Sequence, residues 1–531
     1  MTHRDSILSR VAIGLLCAGL LIGLLGIPGL FSPSAKSSGS NRPPNILFIL
    51  TDDLDLHELE VMPKLKSLLI DQGVSFAQYF ANVSLCCPSR VTTLSGQYAH
   101  NTHVLTNGGT NGGFETFHER NGEQSTLATW LQAQGYRTAL IGKYLNGYPN
   151  TVGLRYVPPG WTEWASPSAG DPYSEFNYTL NKNGKLSKFK QRETDYGTDV
   201  FAHKTKEFML KAIADQVPFF AFLSVVAPHF PATPAPRHQM LFADAKAPRT
   251  PAFNEADVSD KPAFIQQKPP LKPRAAQWID RFYRLRIQSL QAVDEAIANL
   301  YETLEAANQL DNTYIVFSSD NGFHLGQHRL HSGKETAYEE DIHLPLVVKG
   351  PGVPRGKTVA AISGNVDLAP TFADLAGVKP PASVDGRSLV PLFQPTRTMP
   401  SAWRQVYLLG HWVEADPETR NRNLNDRTLE PPDRDQFREE PVPEILVTPP
   451  HKAGKSVIPA YQGLRTQRYT YVEYETGERE LYDLEQDPDQ LQNLAQSAPS
   501  DQLQRFAERL AQLRTCVAEA CRRIEEQPFS G

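Results

Sequence analysis

The amino-acid sequence predicts an α/β fold, in which a doubly wound sheet carries helices on both faces and is followed by a smaller C-terminal domain with an antiparallel sheet and a helix. Before residue 395, short apolar runs of strand length alternate with helical stretches, a pattern typical of βαβ units. After residue 457, short alternating runs flank the turn residues Thr476-Gly477, as in an antiparallel hairpin. A helix predicted over 499–524 completes the small domain.

The best-defined strand is the run NILFIL at 45–50, because its continuous apolar character is typical of a parallel strand buried on both faces. Further strands are predicted at 137–141, 219–226, 314–318 and 344–348. Helices are predicted between them, at 62–73, 125–134, 195–214, 275–307 and 366–376. In sheets of this kind, ligand sites gather at the carboxyl ends of the strands.

Changes in composition divide the 531 residues into four predicted segments. They are a signal or anchor segment with its linker (1–43), a large α/β domain (44–395), a polar insertion or loop (396–456) and the small C-terminal domain (457–531). Within the third segment, residues 413–443 are crowded with Asp, Glu, Arg and Pro, and such a composition is typical of a solvated loop.

The N-terminal segment has the composition of an export signal. Arg4 and Arg10 precede an apolar run over 11–31, and a polar stretch of small residues follows. Because about 20 apolar residues are also enough to span a bilayer, the sequence leaves open whether this segment is cleaved or kept as a membrane anchor. In both cases the remainder of the chain is predicted to be exported.

Overall charge and cysteine usage narrow the class of partner. The formal net charge of −6 argues against nucleic acid as a partner, although a local cluster of cations can still bind an anionic substrate. Cys516 and Cys521 lie close together near the C-terminus. In an oxidising compartment they are expected to form a disulfide, and two thiols are the alternative.

Polar residues follow four of the predicted strands. Asp52-Asp53 follow the first strand, Asp320-Asn321 follow the strand at 314–318, and Lys143 and His229 follow two others. The Asp and Asn side chains offer hard oxygen ligands suited to Ca²⁺ or Mg²⁺. Taken singly, an Asp pair at a strand end is an exposed turn and a lysine is a surface residue. Their recurrence at four strand ends predicts one shared site at the carboxyl edge of the sheet.

The run CCPSR at 86–90 carries the strongest functional signal. By itself it is a Cys-Pro turn entering a helix, and adjacent cysteines are more often metal ligands or disulfide partners. Its spacing, closed by Gly96, resembles the signature of formylglycine-dependent sulfatases. This resemblance implies that Cys86 is oxidised after synthesis to Cα-formylglycine, with a formylglycine-generating or equivalent maturation enzyme as a partner. It also implies an alkaline-phosphatase-like fold, in which the sheet is mixed.

Other motifs extend the resemblance along the chain. N-acetylglucosamine-6-sulfatases and extracellular heparan sulfate 6-O-endosulfatases are similar to this sequence in the segments GKYLN (142–146), NYT (177–179), SDNGFH (319–324), GPG (350–352), NVDLAPT (365–371) and LYDL (481–484). The resemblance covers 44–395, which is thereby the predicted catalytic domain, and 457–500. Many arylsulfatases carry a histidine at the position where this chain has Leu145. The glucosamine-6-sulfatase group also lacks that histidine.

The resemblance and the chemistry of sulfate esters together imply roles for individual residues. The nucleophile, the cations that hold sulfate and the groups at the leaving oxygen are expected to be Cys86, Arg90, Lys143, His229, Lys334 and Asp320. One Ca²⁺ ion is expected on Asp52, Asp53, Cys86, Asp320 and Asn321. Substrate contacts are expected from Asn146, His324, His100 and His103. The base that helps to expel sulfate stays open, with Asn146, His100 and His103 as candidates.

The predicted function is hydrolysis of a sulfate ester on a sulfated glycan that resembles N-acetylglucosamine 6-sulfate, through a covalent sulfate intermediate on formylglycine. An arylsulfatase or phosphonate monoester hydrolase on the same scaffold is the first alternative. A catalytically silent glycan-binding protein is a more remote one, because a binding protein needs no nucleophile and this chain keeps the whole predicted catalytic set.

Overall fold

Strands and helices alternate along residues 42–414 and 458–530, the part of the chain that the computed structural model describes. The strands are β1 (Asn45–Thr51), β2 (Val74–Phe76), β3 (Tyr79–Phe80), β4 (Arg137–Gly142), β5 (Glu163–Gly170), β6 (Tyr178–Lys182), β7 (Lys185–Lys188), β8 (Phe219–Ser224), β9 (Thr313–Ser319), β10 (Leu346–Lys349), β11 (Lys357–Val359), β12 (Ser363–Gly364), β13 (Val406–His411), β14 (Tyr461–Thr466), β15 (Tyr469–Tyr474) and β16 (Arg479–Asp483). The α-helices are α1 (Pro63–Leu65), α2 (Cys86–Ser95), α3 (Ala99–Thr102), α4 (Gly113–Glu119), α5 (Leu127–Ala133), α6 (Gly197–Ala214), α7 (Ala263–Gln266), α8 (Pro273–Ala306), α9 (Glu339–Ile342), α10 (Leu368–Leu375), α11 (Val390–Phe393), α12 (Ser500–Leu513) and α13 (Glu519–Glu526).

The main sheet is mixed and has β1 near its centre. Its strand order is β11-β2-β10-β9-β1-β8-β4-β5-β6-β7. β1 runs parallel to β8 and β9, whereas β10 runs antiparallel to β9. The register aligns Thr51 with Ser319 and Leu50 with Ser224, so the carboxyl ends of β9, β1 and β8 form one edge. The predicted doubly wound mixed sheet is confirmed.

An apolar layer covers each face of this sheet, because successive side chains of a strand point to opposite faces. Phe48 packs among Val91 of α2 and Phe372 of α10. Its neighbours Leu47 and Ile49 belong to the other layer, which includes residues of α6 and α8. Every residue of β1 is therefore buried, which explains why its sequence is continuously apolar.

The polar segment predicted over 396–456 contains a strand, and that part of the prediction was wrong. Residues Val406–His411 form β13, and all of them are buried. β13 pairs antiparallel with β14, so this short apolar run finds its partner on the far side of the polar segment. The rest of that segment, residues 415–457, lies outside the described residues and includes most of the 413–443 stretch.

The small C-terminal sheet is antiparallel, with strand order β13-β14-β15-β16, as predicted in type. The single helix predicted over 499–524 is instead two helices, α12 and α13. The expected disulfide joins Cys516, which lies between them, to Cys521 of α13. Tyr338 donates a hydrogen bond to Glu480 Oε1 (2.8 Å), which ties this sheet to the larger domain. The division into four segments stays a prediction.

Membrane spanning was predicted only for the N-terminal run at 11–31, which lies outside the described residues. In residues 42–414 and 458–530, no helix combines the length and the apolar character needed to cross a bilayer.

Candidate active site

Four neighbouring strands end at one edge of the sheet, in the spatial order β9, β1, β8 and β4. A polar residue predicted for the site follows each of them. At most 7% of each of these residues is exposed, and they are Asp320 and Asn321 after β9, Asp52 and Asp53 after β1, His229 after β8 and Lys143 after β4. The parallel register of the strands is what brings these residues of distant sequence position together.

Cys86 is the first residue of α2, and its side chain lies against the carboxylates that follow β1. Its Sγ lies 3.4 Å from Asp52 Oδ1 and 3.8 Å from Asp53 Oδ1. Lys334 donates to both Cys86 Sγ (2.8 Å) and Asp53 Oδ1 (2.7 Å). The first turn of a helix is the positive end of its dipole, which favours negative charge at this position.

Arg90 and Lys143 place two positive charges beside the carboxylates. Arg90 donates to Asp320 Oδ2 (2.7 Å) and to Ser224 Oγ (2.7 Å) at the end of β8. Lys143 Nζ lies 2.7 Å from Asp52 Oδ2. The residue before Lys143 must be glycine, because its φ is +113° and an added Cβ would lie 1.7 Å from Ser224 O. The backbone that carries Lys143 is thus held in a defined geometry.

His229 completes the group of predicted catalytic residues. Its Nε2 lies 3.6 Å from Asp53 Oδ2, and its Nδ1 lies 2.8 Å from Phe230 O. The Tyr173 ring packs 4.6 Å from the His229 ring, with Lys143 Nζ 5.0 Å from the centre of the same tyrosine ring. Sequence reasoning did not single out Tyr173, which lies in a loop without a recognisable motif. The tyrosine ring therefore lies close to both His229 and Lys143.

Burial and charge together set the protonation of the site. Burial favours the neutral form of Asp52, but the positive charges around it, above all Lys143, hold its pKa below the ordinary value. Burial raises the pKa of the Cys86 thiol well above its usual range, and the charge of Asp52 adds to that effect. The unmodified thiol is therefore protonated at neutral pH, and a protonated thiol is a poor nucleophile.

The residues at this edge fit a hard divalent cation. Ligand atoms within 4.8 Å of one another are offered by Asp52, Asp53, Cys86 and His229. Asn321 adds a further oxygen, because its Oδ1 is buried without a hydrogen-bond partner among the described residues, while its Nδ2 donates to Asp53 Oδ1 (2.7 Å). A buried acceptor without a donor is unfavourable unless a ligand satisfies it.

Asp320, another predicted metal ligand, is engaged differently. Its Oδ2 accepts from Arg90, and its Oδ1 accepts from the backbone N–H of Asp53 (3.1 Å). Burial raises its pKa, and the nearby charge of Asp52 acts in the same direction. Asp320 thus lies beside the group of close ligand atoms formed by Asp52, Asp53, Cys86 and His229, and is not part of that group.

His100 and His103 lie away from this cluster, which contradicts their predicted role in substrate binding. The ten residues of α2 extend about 15 Å from Cys86, so residues beyond its C-terminus lie at the far end of the helix. His100 Nε2 lies 2.9 Å from Cys516 O. His103 lines a separate surface cleft. Neither histidine is in a position to assist the release of sulfate.

Asn146 and His324 keep buried polar atoms near the predicted catalytic residues. Neither side-chain amide atom of Asn146 has a hydrogen-bond partner in the described part of the chain. His324 Nδ1 lies 2.9 Å from Asp341 Oδ1, whereas its Nε2 has no hydrogen-bond partner there. The backbone of His324 pairs with Gly333, the neighbour of Lys334. Contact of both side chains with substrate stays a prediction.

A buried arginine that sequence reasoning missed contacts three of the strand-end loops. Arg286 on α8 is fully buried and donates to both carboxylate oxygens of Glu58 (2.6 Å each). It also donates to Asp53 O and to Pro228 O, and its guanidinium lies 4.3 Å from the centre of the Phe323 ring. One side chain therefore links the loops that follow β1, β8 and β9.

Because His229 is predicted to act at the leaving oxygen, we expect the double substitution Glu58→Gln/Arg286→Met, which displaces it, to lower kcat on a sugar sulfate by about tenfold. The kcat on an aryl sulfate should fall much less, because its alcohol is a good leaving group. Both partners are changed because Glu58 alone would stay buried and unpaired at a cost of about 3–5 kcal/mol. Steady-state kinetics on the two esters give the comparison.

The matched control for this prediction is Asp367→Asn/Arg404→Met, which removes an equally buried arginine together with one of its carboxylate partners. Its other partner, Glu525, keeps an ion pair with Arg387. This control should lower Tm without a loss of activity that depends on the leaving group. If Glu58→Gln/Arg286→Met loses the same activity on both esters, in proportion to its fall in Tm, then Arg286 acts only on stability.

A nucleophile flanked by oxygen ligands for a cation and by anion-binding side chains is the arrangement of enzymes that hydrolyse anionic esters. Residues 44–378 match the family model described as Sulfatase. The chain therefore belongs to the sulfatase family, whose enzymes hydrolyse sulfate esters.

Individual relatives support this assignment. Human N-acetylglucosamine-6-sulfatase is 33% identical over 510 residues, which cover 95% of this chain and 89% of the relative. The Sulf-1 homolog of Caenorhabditis elegans, whose name describes an extracellular sulfatase, is 40% identical over 353 residues. These cover 66% of this chain and 49% of that relative, so the chain spans about half of its length. An arylsulfatase of Chlamydomonas reinhardtii is 33% identical over 527 residues, with coverage of 92% and 77%.

The fold also matches solved structures. One is the protein BT4656 in complex with its substrate D-glucosamine-2-N,6-O-disulfate, with a TM-score of 0.68 and 24% identity. The match covers 88% of this chain and 97% of that one. At this identity the likeness establishes the fold alone.

Proposed function

We propose that this protein hydrolyses the 6-O-sulfate ester of a glucosamine residue in a sulfated glycan. The observation that carries the proposal is the position of Cys86, with Sγ 2.8 Å from Lys334 Nζ and 3.4 Å from Asp52 Oδ1. The choice of sugar is supported by the human relative named N-acetylglucosamine-6-sulfatase and by the structural neighbour solved with a glucosamine disulfate as its substrate.

The proposed nucleophile is a formylglycine made from Cys86 by a maturation enzyme. Sulfatases generally use a formylglycine and a metal ion. Formed at position 86, the aldehyde hydrate would supply two hydroxyl groups, one as the nucleophile towards sulfur and one whose loss of a proton would allow sulfate to leave.

The surrounding side chains bind charge and move protons. Lys143 and Arg90 hold the anionic oxygens of the sulfate group, as their positions beside the carboxylates allow. His229 and Lys334 act on the ester oxygen, which becomes negative as its bond to sulfur breaks and leaves as an alcohol after gaining a proton. Preorganised charges of this kind need little rearrangement during the reaction.

The proposed metal is one Ca²⁺ ion, held by Asp52, Asp53 and Asn321 with Asp320 and position 86 beside them. Ca²⁺ accepts irregular oxygen coordination, whereas Mg²⁺ demands near-octahedral geometry, and the loops after β1 and β9 offer an irregular set. When bound, the cation offsets the carboxylate charge and polarises the oxygen at position 86.

Substrate profiling tests the proposed function. We expect kcat/KM for N-acetylglucosamine 6-sulfate to exceed that for an aryl sulfate and for an aryl phosphonate monoester by about tenfold or more, each difference reflecting selective binding in the transition state. The expectation follows from Leu145, which occupies the sequence position where many arylsulfatases carry a histidine. In this chain the side chain at that position is buried in an apolar cluster.

The profile also separates the alternatives. Because the arylsulfatase of Chlamydomonas reinhardtii is as identical to this chain as the human sugar sulfatase, a higher kcat/KM on the aryl sulfate would replace the sugar proposal. Preference for the phosphonate would identify a phosphonate monoester hydrolase. Binding of the sulfated sugar without turnover of any ester would identify a silent glycan-binding protein.

Export from the cytoplasm is part of the proposal. The disulfide between Cys516 and Cys521 is typical of an oxidising compartment, and the nematode relative is named as extracellular.

A further inference from the structure

We propose that one edge of the main sheet is a docking surface for the chain of a sulfated polysaccharide, outside the pocket that takes the reacting sugar. The proposal rests on the proposed function, because it assumes a sulfated glycan at the active site. The surface, called the basic edge, consists of Arg155, Lys182, Lys185, Lys188, Lys190 and Lys204.

The basic edge is built around β7, the last strand of the main sheet. Lys185 and Lys188 begin and end β7, and both are exposed. Lys182 of β6 lies opposite Lys185 in the hairpin register. Arg155 approaches the turn between these strands and donates to Gly184 O (2.7 Å). Two strands and a neighbouring loop thus place cations at one edge of the sheet, with Lys185 and Lys188 on its opposite faces.

Acidic residues offset only part of this charge. Among the described residues, an ion pair is recorded for one member of the basic edge, Lys182 with Glu163 at 3.4 Å. Burial and then the positive charge of Lys182 lower the pKa of Lys204, against weaker effects of Glu207 and Glu163. Like charges therefore crowd here in a chain whose net charge is −6, and an anionic polymer would relieve their repulsion.

The basic edge leads towards the active site. The carbonyl of Lys190 accepts a hydrogen bond from Asn177 N (3.0 Å), in the loop that also carries Tyr173. The Tyr173 ring in turn packs 4.6 Å from the His229 ring. From Lys185 to Lys190 an extended chain spans about 17 Å, so a polymer with one sugar in the pocket is able to continue along these lysines.

Lysines on an edge strand also prevent pairing with other chains, and that effect alone accounts for Lys185 and Lys188. It does not account for Lys190 beyond the strand, for Lys204 on α6 or for Arg155. The opposite edge strand, β11, carries the exposed Lys357. This residue provides a matched control for the general effect of charge on an edge.

The test compares the wild-type enzyme with Lys185→Glu/Lys188→Glu/Lys190→Glu on heparin and on N-acetylglucosamine 6-sulfate. We expect the ratio of the heparin KM to the monosaccharide KM to rise by about tenfold or more. Heparin affinity falls as salt rises, and the magnitude of the slope of log affinity against log salt should decrease by about 2–3, because fewer counterions are released. Lys357→Glu should change neither quantity, and Tm verifies that each variant is folded.

Three results would overturn the basic edge as a polysaccharide site. They are an unchanged KM ratio in the triple variant, an equal rise with Lys357→Glu, and tighter binding of double-stranded DNA than of heparin. Direct heparin binding is measured independently of turnover. If the wild-type enzyme releases no sulfate but binds heparin through these lysines, the proposed function fails while the docking surface stands.

Discussion

Replacing Cys86 with alanine is expected to lower kcat by about 10⁴-fold or more, which is the scale of loss when a hydrolase loses its covalent nucleophile. The sulfated sugar should still bind, because Lys143, Arg90 and Lys334 remain in place. The change is small and the residue is completely buried at the start of α2, so the fold is expected to persist. Sulfate release and calorimetric binding of N-acetylglucosamine 6-sulfate measure the two effects separately.

The matched control is Cys87→Ala, which changes the neighbouring sulfur. The Cys87 side chain lies in an apolar cluster, and its backbone N–H, which donates to Asn107 Oδ1 (2.8 Å), is kept. This variant should retain most of the activity. Mass spectrometry of the intact active protein should show sulfur replaced by oxygen and two hydrogens lost at position 86. An unmodified Cys86 in fully active enzyme would exclude the proposed nucleophile.

Much of the site could be predicted from the sequence because its residues follow strands whose apolar runs are conspicuous. Once β1, β8 and β9 are recognised as parallel neighbours, Asp52 and Asp320 must emerge at the same edge. The start of α2 at Cys86 was equally visible from the Cys-Pro turn. The sequence did not show in which direction α2 runs relative to the site. His100 was misplaced for this reason, because the ten residues of α2 carry the chain away from the site.

The edge of the sheet was harder to predict because its strands lack a regular apolar pattern. β7 has the sequence KLSK and is largely exposed, so it has no apolar pattern. β5 contains Pro167, and its pairing with β6 shifts register between Pro167 and Ala169, which interrupts the alternation that marks a strand. Tertiary pairing, not local propensity, forms these strands.

Arg286 did carry a signal. It occupies a stripe of α8 whose other members are Ile279, Tyr283, Leu290 and Val293, all of them buried, at the spacing of one helix face. A single arginine in an apolar stripe needs a buried partner. Sequence alone does not show that this partner is Glu58, or that the same guanidinium reaches the loops of the site.

Removal of the metal by a chelator is expected to lower kcat by about 10³-fold, since a bound cation is worth several kcal/mol of transition-state stabilisation. Added Ca²⁺ should restore activity at lower concentration than Mg²⁺, because the loops after β1 and β9 offer irregular oxygen ligands. A second readout does not depend on turnover. Ca²⁺ should raise the Tm of the stripped protein in a concentration-dependent way, because it binds the folded state.

Asn321→Leu tests which residues hold the cation. The substitution removes the buried Oδ1 that has no hydrogen-bond partner among the described residues, together with the hydrogen bond to Asp53. The Ca²⁺-dependent rise in Tm should then require a higher Ca²⁺ concentration. Asn101→Leu is a matched control, since its amide donates to Asp385 far along the chain from the site, and its Ca²⁺ dependence should equal that of the wild type. Full activity after chelation, or equal Ca²⁺ dependence in both variants, would contradict a metal site in the loops that follow β1 and β9.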